Sequence, residues 1–267
     1  MYKLGFIGCG NMATAIIGGA VSSRFLKGEE ICVFDVDTQK AEFLNKEYGV
    51  NTSSTVEGLA ESCEFVVLAV KPQVFPTVLS QIKDNLNNAT VVSIGAGKTL
   101  EFIGSFLNEK TPVVRVMPNI NAKVGASMSA VCKNDYTTDT ALDFVKGLCK
   151  SFGEVMELPE SQFPLFGVIA GCSPAYSFMF IDSMAREAVK NGMKKDEALK
   201  ICAQAVLGSA KMILEDKENN PWALINSVCS PGGTTIEGVA KLQSEGFDTA
   251  VMDAVKASLE KDKNYKK

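Results

Sequence analysis

KLGFIGCGNMATAII, residues 3–17, joins a strand-like half to a helix-like half through two closely spaced glycines. It begins as a short apolar run of the kind that forms a buried strand, and it ends with apolar residues at helical spacing. Between the two halves stands GCGNMA, residues 8–13, a G-x-G-x-x-A sequence. This pattern between a strand and a helix is the fingerprint of a βαβ unit that binds a dinucleotide.

Each position of the fingerprint has a physical reason. Gly8 permits a tight turn, Gly10 lets a pyrophosphate approach the backbone, and Ala13 keeps the helix close to the sheet. The helix start adds free N–H groups and its positive end. A close strand–helix turn with no ligand is the alternative interpretation, but the strand, the helix and a later acidic residue stand where the fingerprint requires them. The predicted cofactor contacts of this loop are Ile7, Gly8, Cys9, Gly10, Asn11 and Met12.

The acidic residue is Asp35, at the end of the next strand-like run, EICVFD. A carboxylate at this position accepts hydrogen bonds from the ribose hydroxyls of the adenosine half and repels a 2′-phosphate. It therefore favours NADH over NADPH, although Lys40 is close enough in sequence to soften the repulsion. Helix N-capping is the alternative role for Asp35, and Asp37 would serve that role equally well.

Strand-like runs alternate with helical segments up to residue 158, which predicts an α/β fold with a doubly wound parallel sheet. The pattern is helical from residue 159 onward. We therefore predict a Rossmann-type dinucleotide-binding domain at 1–158 and an all-helical domain for substrate binding and dimerisation at 159–267. The predicted strands are KLGFIG, EICVFD, CEFVVLAV, ATVVSIG, TPVVRVM and GEVMEL.

Composition narrows the class of protein. The net charge is −4 and no basic stripe precedes the tail, so we expect no nucleic-acid partner. Hydrophobic residues make up 46% of the chain, which favours a buried subunit interface and a homodimer or higher homo-oligomer through the C-terminal helices. Met179, Met184 and Met212 are expected in the core and in that interface.

The chemistry must work without imidazole, because the chain contains no histidine. The commonest metal ligand and the commonest general base are therefore both missing. The eight cysteines include no C-x-x-C pair, so we expect no metal site and a reducing compartment, the cytoplasm. The opening MYKLGFIGCG has no basic start of the kind that begins a secretory signal.

One uncharged stretch, SQFPLFGVIAGCSPAYSFMFI at 161–181, is long enough to cross a bilayer. Pro164 and Pro174 are expected to interrupt it, and its flanks are the acidic Glu160 and Asp182. We therefore predict a buried core or interface helix here and no membrane partner.

A second glycine-containing motif, SVCSPGGTTIEG at 227–238, stands inside the helical region. Paired glycines let backbone N–H groups point toward one place, neighbouring hydroxyls add donors, and a following helix adds its positive end. The motif is either an ordinary interhelical turn with a Ser or Thr N-cap, or an anion site such as one for a carboxylate.

With both glycine motifs in view, the chain resembles the pyrroline-5-carboxylate reductases nearly end to end. It departs from their pattern at Ile120-Asn121, where the family has Thr-Pro, and at Ser173, where it has Gly. The resemblance is carried by FIGCGNMATAI (6–16), LAVKPQ (68–73), SIGAGKT (93–99), RVMPN (115–119), SPAYSFMFID (173–182) and PWALINSVCSPGGTTIEGVAKLQ (221–243).

The resemblance implies a reaction, namely hydride transfer from NAD(P)H to the C=N carbon of 1-pyrroline-5-carboxylate, the last step of proline synthesis. Thr235 is the predicted catalytic residue, because its hydroxyl would hydrogen-bond the ring nitrogen while water supplies the proton. Lys71 could also be a plain surface lysine before a helix that begins with proline. The resemblance assigns Ala69, Val70, Lys71 and Pro72 to the nicotinamide half, Ile94, Gly95 and Ala96 to its other side, and Ser230, Gly232, Gly233, Thr234 and Thr235 to the cyclic imino acid substrate.

Three other readings stay open from the residues alone. A β-hydroxyacid dehydrogenase shares this two-part plan but needs a lysine in the stretch PLFGVIAGCSPAYSFMF, which has none. A non-catalytic redox sensor that binds NAD(P) would leave the late glycine turn without a purpose. A methyltransferase could use the glycine loop and Asp35 for S-adenosylmethionine, but VKP and SPGGTT would then be unexplained.

Overall fold

Eight strands form one sheet in the order β3-β2-β1-β4-β5-β6-β7-β8 in this computed structural model, which describes residues 1–216 and 220–265. All neighbouring strands are parallel except β6 and β7, which are antiparallel. The prediction of a Rossmann-type doubly wound sheet is confirmed. The strands are β1 (Tyr2–Ile7), β2 (Ile31–Phe34), β3 (Asn51–Thr52), β4 (Cys63–Leu68), β5 (Thr90–Ser93), β6 (Val113–Met117), β7 (Ser127–Lys133) and β8 (Gly153–Glu157).

Helices cover both faces of the sheet. Because successive side chains of a strand point to opposite faces, β4 sends Phe65 and Val67 into one hydrophobic cluster and Val66 and Leu68 into the other. The first cluster contains residues of α1, α2 and α6, and the second contains residues of α3, α4 and α5. These helices are α1 (Asn11–Ser22), α2 (Thr38–Tyr48), α3 (Val56–Ser62), α4 (Phe75–Ile82), α5 (Leu100–Gly104) and α6 (Asp139–Lys150). Short 3₁₀ turns lie at Gly28–Glu30, Pro72–Val74, Ile120–Val124 and Glu160–Gln162.

Two strands were not predicted. β3 is only two residues long, and no apolar run in the sequence indicates a strand there. β7 was not predicted because two buried serines, Ser127 and Ser129, interrupt its apolar pattern. Their hydroxyl oxygens lie 3.4 Å apart. Ser127 Oγ also accepts a hydrogen bond from the backbone N–H of Asn119 at 3.2 Å. Polar residues that satisfy one another in this way break the apolar pattern without leaving the core.

The described residues after β8 are mainly helical, as predicted, and their α-helices are α7 (Phe163–Phe166), α8 (Ser173–Lys190), α9 (Lys195–Glu215), α10 (Pro221–Val228), α11 (Thr234–Ser244) and α12 (Phe247–Tyr265). Two compact units divide between Gly171 and Cys172, whereas the predicted domain boundary lies at 158. The predicted second domain also contains residues 217–219 and 266–267, which lie outside the described residues.

The helical unit leaves much apolar surface open within a single chain. Met179 and Met212 are 74% and 54% exposed, so they lie outside the core of a single chain, and their place in a subunit interface stays a prediction. Large exposed side chains occur on every one of its helices, and they include Phe178, Ile201, Leu207, Leu214, Trp222, Val228, Leu242 and Met252.

The two prolines do not interrupt the apolar stretch near residue 170. Pro164 and Pro174 lie in the first turns of α7 and α8, where a missing N–H costs little. The residues between them, Gly167–Cys172, form a π-helical segment that joins the two helices. The resulting run Glu160–Lys190 is long and apolar enough to cross a membrane by length and composition, and 17% of its most apolar window is buried.

Candidate functional site

The glycine loop between β1 and α1 is held by backbone contacts. Gly8 has φ +102°, a conformation that favours glycine, and its N–H donates to Phe34 O at 2.7 Å. A Cβ at Gly8 would lie 2.7 Å from the carbonyl oxygen of Ala69, at the end of β4. The first glycine is therefore required by the turn and by the close approach of the neighbouring strand end.

Gly10, in contrast, is not required by the fold. It is the N-cap residue of α1, with φ −75° and no side chain capping the helix start. A Cβ there would meet nothing within 4 Å. The open space lies in front of the uncapped N–H groups at the start of α1, which suits the approach of a phosphate group. Ala13 is 1% exposed and lets the helix pack closely on the sheet.

Asp35 connects this loop to the start of α2. Its Oδ2 accepts a hydrogen bond from the N–H of Cys9 at 2.7 Å, and its Oδ1 accepts one from the N–H of Asp37 at 2.9 Å. The N-cap residue of α2 is Asp37, so the alternative role of Asp35 as a helix cap is wrong. Lys40 pairs with Asp37 at 3.3 Å rather than with Asp35.

A cavity of about 440 Å³ opens beside Asp35. Its walls come from the ends of β1 and β2, the start of α3, the segment after β4 and α4. Polar lining residues outside the predicted set are Ser54, Thr55, Glu57, Thr77 and Gln81, and predicted ones are Ile7, Gly8, Asp35 and Val70. A larger cavity of about 610 Å³ lies along the outer side of α1 and contains no predicted residue except Asn11. The smaller cavity is the one at the carboxyl ends of the strands, where open α/β sheets bind ligands.

The ends of β4 and β5 lie beside the glycine loop. Ala69 N–H donates to Ile7 O at 2.9 Å, and Ile94 N–H donates to Leu68 O at 3.3 Å. These bonds bring the predicted nicotinamide segments, residues 69–72 and 94–96, to the same edge of the sheet. Lys71 is the exposed N-cap residue of the 3₁₀ turn Pro72–Val74, which contains the predicted Pro72. A side chain at Gly95 would collide with the ring of Phe75.

The second motif, SPGGTT, forms a tight turn before α11. Gly233 N–H donates to Ser230 O at 3.0 Å, and Gly232 has φ +68°. Proline at the second position and a left-handed glycine at the third are typical of a type II turn. Gly233 is the N-cap residue of α11, and no side chain caps the helix. The N–H groups of Thr234 and Thr235, at the helix start, therefore have no intrahelical acceptor.

Thr234 and Thr235 are exposed, so a ligand can reach them. The N–H of Gly233 already closes the turn, and this leaves Gly232, Thr234 and Thr235 as the backbone donors of the predicted anion site. Gly233 must stay small because a Cβ there would collide with Ser230 Oγ and lie 3.1 Å from Ser230 O.

Ionisable groups add little to the glycine loop. Burial and the nearby Asp35 carboxylate raise the pKa of the Cys9 thiol to about 12, so it is neutral at physiological pH and is no nucleophile. Over residues 1–216 and 220–265, no three His, Cys, Asp or Glu residues converge in a way that could hold a metal ion.

Comparison with known proteins gives the family. The chain is 42% identical over 267 residues to the pyrroline-5-carboxylate reductase of Escherichia coli, and the match covers 99% of this chain and 98% of that protein. The chain belongs to the pyrroline-5-carboxylate reductase family. Residues 160–265 match the sequence model for pyrroline-5-carboxylate reductase dimerisation, and residues 3–97 match that for coenzyme F420-dependent NADP oxidoreductases.

Solved structures of pyrroline-5-carboxylate reductases have the same fold. The reductase from Coxiella burnetii is 29% identical, with a TM-score of 0.93 and coverage of 100% of this chain and 99% of that one. The Plasmodium falciparum pyrroline carboxylate reductase with NADP bound is 30% identical, with a TM-score of 0.88 and coverage of 100% and 98%. The predicted family is confirmed. The predictions of an oxidoreductase, of an NAD(P)H cofactor and of a homo-oligomeric state are also confirmed.

Within this reductase fold, the structure brings most predicted cofactor residues to one edge of the sheet. Sequence reasoning missed Ser54 and Thr55, which line the cavity beside Asp35. Thr55 is the N-cap residue of α3 and accepts a hydrogen bond from Gly58 N–H at 3.1 Å. These residues follow the two-residue strand β3, and no strand pattern in the sequence places that loop beside the glycines.

Proposed function

We propose that this chain reduces 1-pyrroline-5-carboxylate to L-proline with NAD(P)H. The proposal rests on two structural features that occur together in this chain of the family. One is a glycine loop with open space before a helix start, and the other is an uncapped, exposed helix start after the turn SPGGTT. A dinucleotide needs the first and a small anionic substrate needs the second.

The cofactor fits the residues of the nucleotide-binding unit. Bound NAD(P)H supplies the hydride. Gly10 and the first N–H groups of α1 hold the pyrophosphate, in the turn that Gly8 permits, and the Asp35 carboxylate takes the ribose hydroxyls beside the 440 Å³ cavity. We assign the nicotinamide half to residues 69–72 and 94–96, at the ends of β4 and β5. We infer a preference for NADH, because a 2′-phosphate would face the Asp35 carboxylate while Lys40 pairs with Asp37.

The substrate is held through its one fixed charge, the carboxylate. The N–H groups of Gly232, Thr234 and Thr235 bind it at the positive end of α11, and Ser230 braces the turn by accepting the Gly233 N–H. The Thr235 hydroxyl bonds the ring nitrogen, which gains a proton from water as hydride reaches the carbon. Orientation and charge placement supply the rate, which suits a chain with no histidine.

The variant Gly233→Val tests the substrate site. Its backbone at φ −83° and ψ 166° accepts valine, but the side chain collides with Ser230 and distorts the turn. We expect a KM for the imine at least tenfold higher, with unchanged affinity for NADH. The matched control is Gly238→Ala on α11, where a Cβ meets nothing within 4 Å. Unchanged imine kinetics in Gly233→Val would remove the turn from the site.

We propose the C-terminal helices as the subunit interface of a homodimer or higher homo-oligomer, because their apolar faces are exposed within a single chain. We further propose that this assembly is cytoplasmic and has no membrane partner, because a subunit interface would cover those apolar faces. Leu207 on α9 is 62% exposed, and Phe43 on α2 is 55% exposed. We expect Leu207→Asp to lower the sedimentation coefficient of the assembly, since a buried unpaired carboxylate is costly at an interface. Phe43→Asp is the control and leaves it unchanged. An oligomer of parental size in Leu207→Asp would place the interface elsewhere.

A further inference from the structure

A partly buried ion pair lies outside the groups that the proposed reaction uses. Arg115 Nη1 on β6 and Glu160 Oε1 are 2.8 Å apart, and their side chains are 7% and 29% exposed. The guanidinium carbon lies 4.5 Å from the centre of the Phe163 ring, and Phe163 is fully buried. Burying two charges is costly, and an ion pair of this kind often adds little to stability over an apolar pair. Stability alone therefore does not explain this ion pair, which indicates another role for it.

The same oxygen of Glu160 makes a second contact. Oε1 accepts a hydrogen bond from the backbone N–H of Leu100 at 2.8 Å, where α5 begins. The Thr99 hydroxyl completes this helix start by accepting from Phe102 N–H at 3.0 Å. One carboxylate oxygen thus joins a charged side chain of the sheet to the backbone that follows residues 94–99.

Both ends of that segment are fixed relative to Arg115. The segment begins after Ser93 on β5, and Ser93 is the direct partner of Arg115 in the β5–β6 register. It ends at Leu100, which Glu160 holds. Between these points Gly97 has φ +73°, and Gly95 packs closely against the ring of Phe75. A short loop pinned at both ends has few conformations left.

We propose that Glu160 is a positioning residue for hydride transfer: its Oε1 holds the Leu100 N–H, and with it residues 94–99, in the shape that seats the nicotinamide ring, while Arg115 balances its charge. This rests on the proposed function, which assigns residues 94–96 to that ring. Glu160 touches neither cofactor nor substrate in this scheme. Its effect on the reaction passes through the Leu100 N–H and the loop before it, where misplacement by about 1 Å costs roughly a hundredfold in rate.

Two double variants separate this role from simple stability. Arg115→Met with Glu160→Gln removes both charges but keeps an amide oxygen for the Leu100 N–H. Arg115→Met with Glu160→Ala removes the charges and the acceptor together. We expect kcat with NADH within about threefold of the parent for the Gln variant and at least tenfold lower for the Ala variant, with a smaller change in the KM for the imine.

A binding measurement gives a readout that unfolding would not mimic. ADP-ribose carries the adenosine half and the pyrophosphate but has no nicotinamide. We expect its dissociation constant to stay within twofold in both double variants, while the dissociation constant of NADH rises several-fold in the Ala variant alone. The control Glu157→Gln removes the exposed ion pair with Lys146 on the neighbouring elements and leaves both constants unchanged.

Three results would overturn the proposal. They are parental kcat in the folded Ala variant, an equal loss of ADP-ribose and NADH affinity, and failure of the Gln variant to recover turnover. If the Ala variant does not fold, Glu160→Asp takes its place, because it keeps the charge but is one methylene too short to reach both partners. A parent without imine reductase activity would refute the proposed function instead, and the two nucleotide affinities would still test Glu160.

Discussion

Gly8→Ala and Gly10→Ala should have opposite consequences, although both remove a glycine of the same loop. At Gly8 the backbone has φ +102°, and the new Cβ would lie 2.7 Å from Ala69 O. A side chain in such a conformation costs about 1–3 kcal/mol, and the contact with a backbone atom adds to it, so about 3 kcal/mol is expected. This lowers the melting temperature by roughly 6–12 °C at 2–4 °C per kcal/mol.

Gly10→Ala should leave the fold intact. The position has φ −75° and open space around the new Cβ. A lower unfolded-state entropy and a poorer helix cap nearly cancel, so the melting temperature should move by no more than about 2 °C. The methyl group occupies the path of the pyrophosphate, and losing one charged hydrogen bond of about 1.5–3 kcal/mol weakens NADH binding roughly ten- to a hundredfold.

Circular dichroism melts and a fluorescence titration with NADH measure the two effects on the same protein samples. The reasoning requires a low melting temperature in Gly8→Ala and a parental one, with poor NADH affinity, in Gly10→Ala. Parental affinity in Gly10→Ala would mean that the cofactor does not pass over this glycine. A parental melting temperature in Gly8→Ala would mean that the backbone of the turn is not under the constraint described.

Three further predictions concern the hydroxyl, the acid and the thiols. Thr235→Val should lower kcat at least tenfold with a small change in the KM for the imine, and parental turnover would mean that another group holds the ring nitrogen. Asp35→Asn should raise the ratio of kcat/KM for NADPH to that for NADH at least tenfold. An unchanged ratio would mean that the Asp35 carboxylate only accepts hydrogen bonds from the N–H groups of Cys9 and Asp37 and does not select the cofactor. Burial raises the pKa of the Cys149 thiol to about 12, so this thiol stays neutral in the folded chain at pH values where it ionises in the unfolded chain. The free energy of unfolding, from urea titrations at pH 8 and pH 10, should therefore fall with rising pH, and less steeply in Cys149→Ala; equal slopes would contradict the assignment.

The glycine loop and the sheet could be predicted because their causes are local. A β-branched apolar run, a positive φ and an uncapped helix start each leave a mark within a few residues of the chain. Gly8, Gly10 and Asp35 therefore stood out in the sequence. β7 did not, because its buried Ser127 and Ser129 are satisfied by each other and by the N–H of Asn119.

Contacts between residues that are far apart in the chain could not be predicted from local sequence patterns. Glu160 meets Arg115 and Leu100, which lie 45 and 60 positions earlier in the chain, so no spacing rule could pair them. The loop with Ser54 and Thr55 reaches the cavity beside Asp35 only because β3 extends the edge of the sheet. The hydrogen bond from the Gly233 N–H to Ser230 O is local, but the sequence does not indicate which N–H closes the turn and which N–H groups stay free.

The most direct test of the proposed reaction follows absorbance at 340 nm while the protein acts on 1-pyrroline-5-carboxylate, in parallel reactions with NADH and NADPH. We predict oxidation of the nucleotide together with formation of L-proline, and a faster reaction with NADH. Protein that binds NADH but oxidises neither nucleotide in the presence of this imine would contradict the proposed reductase activity.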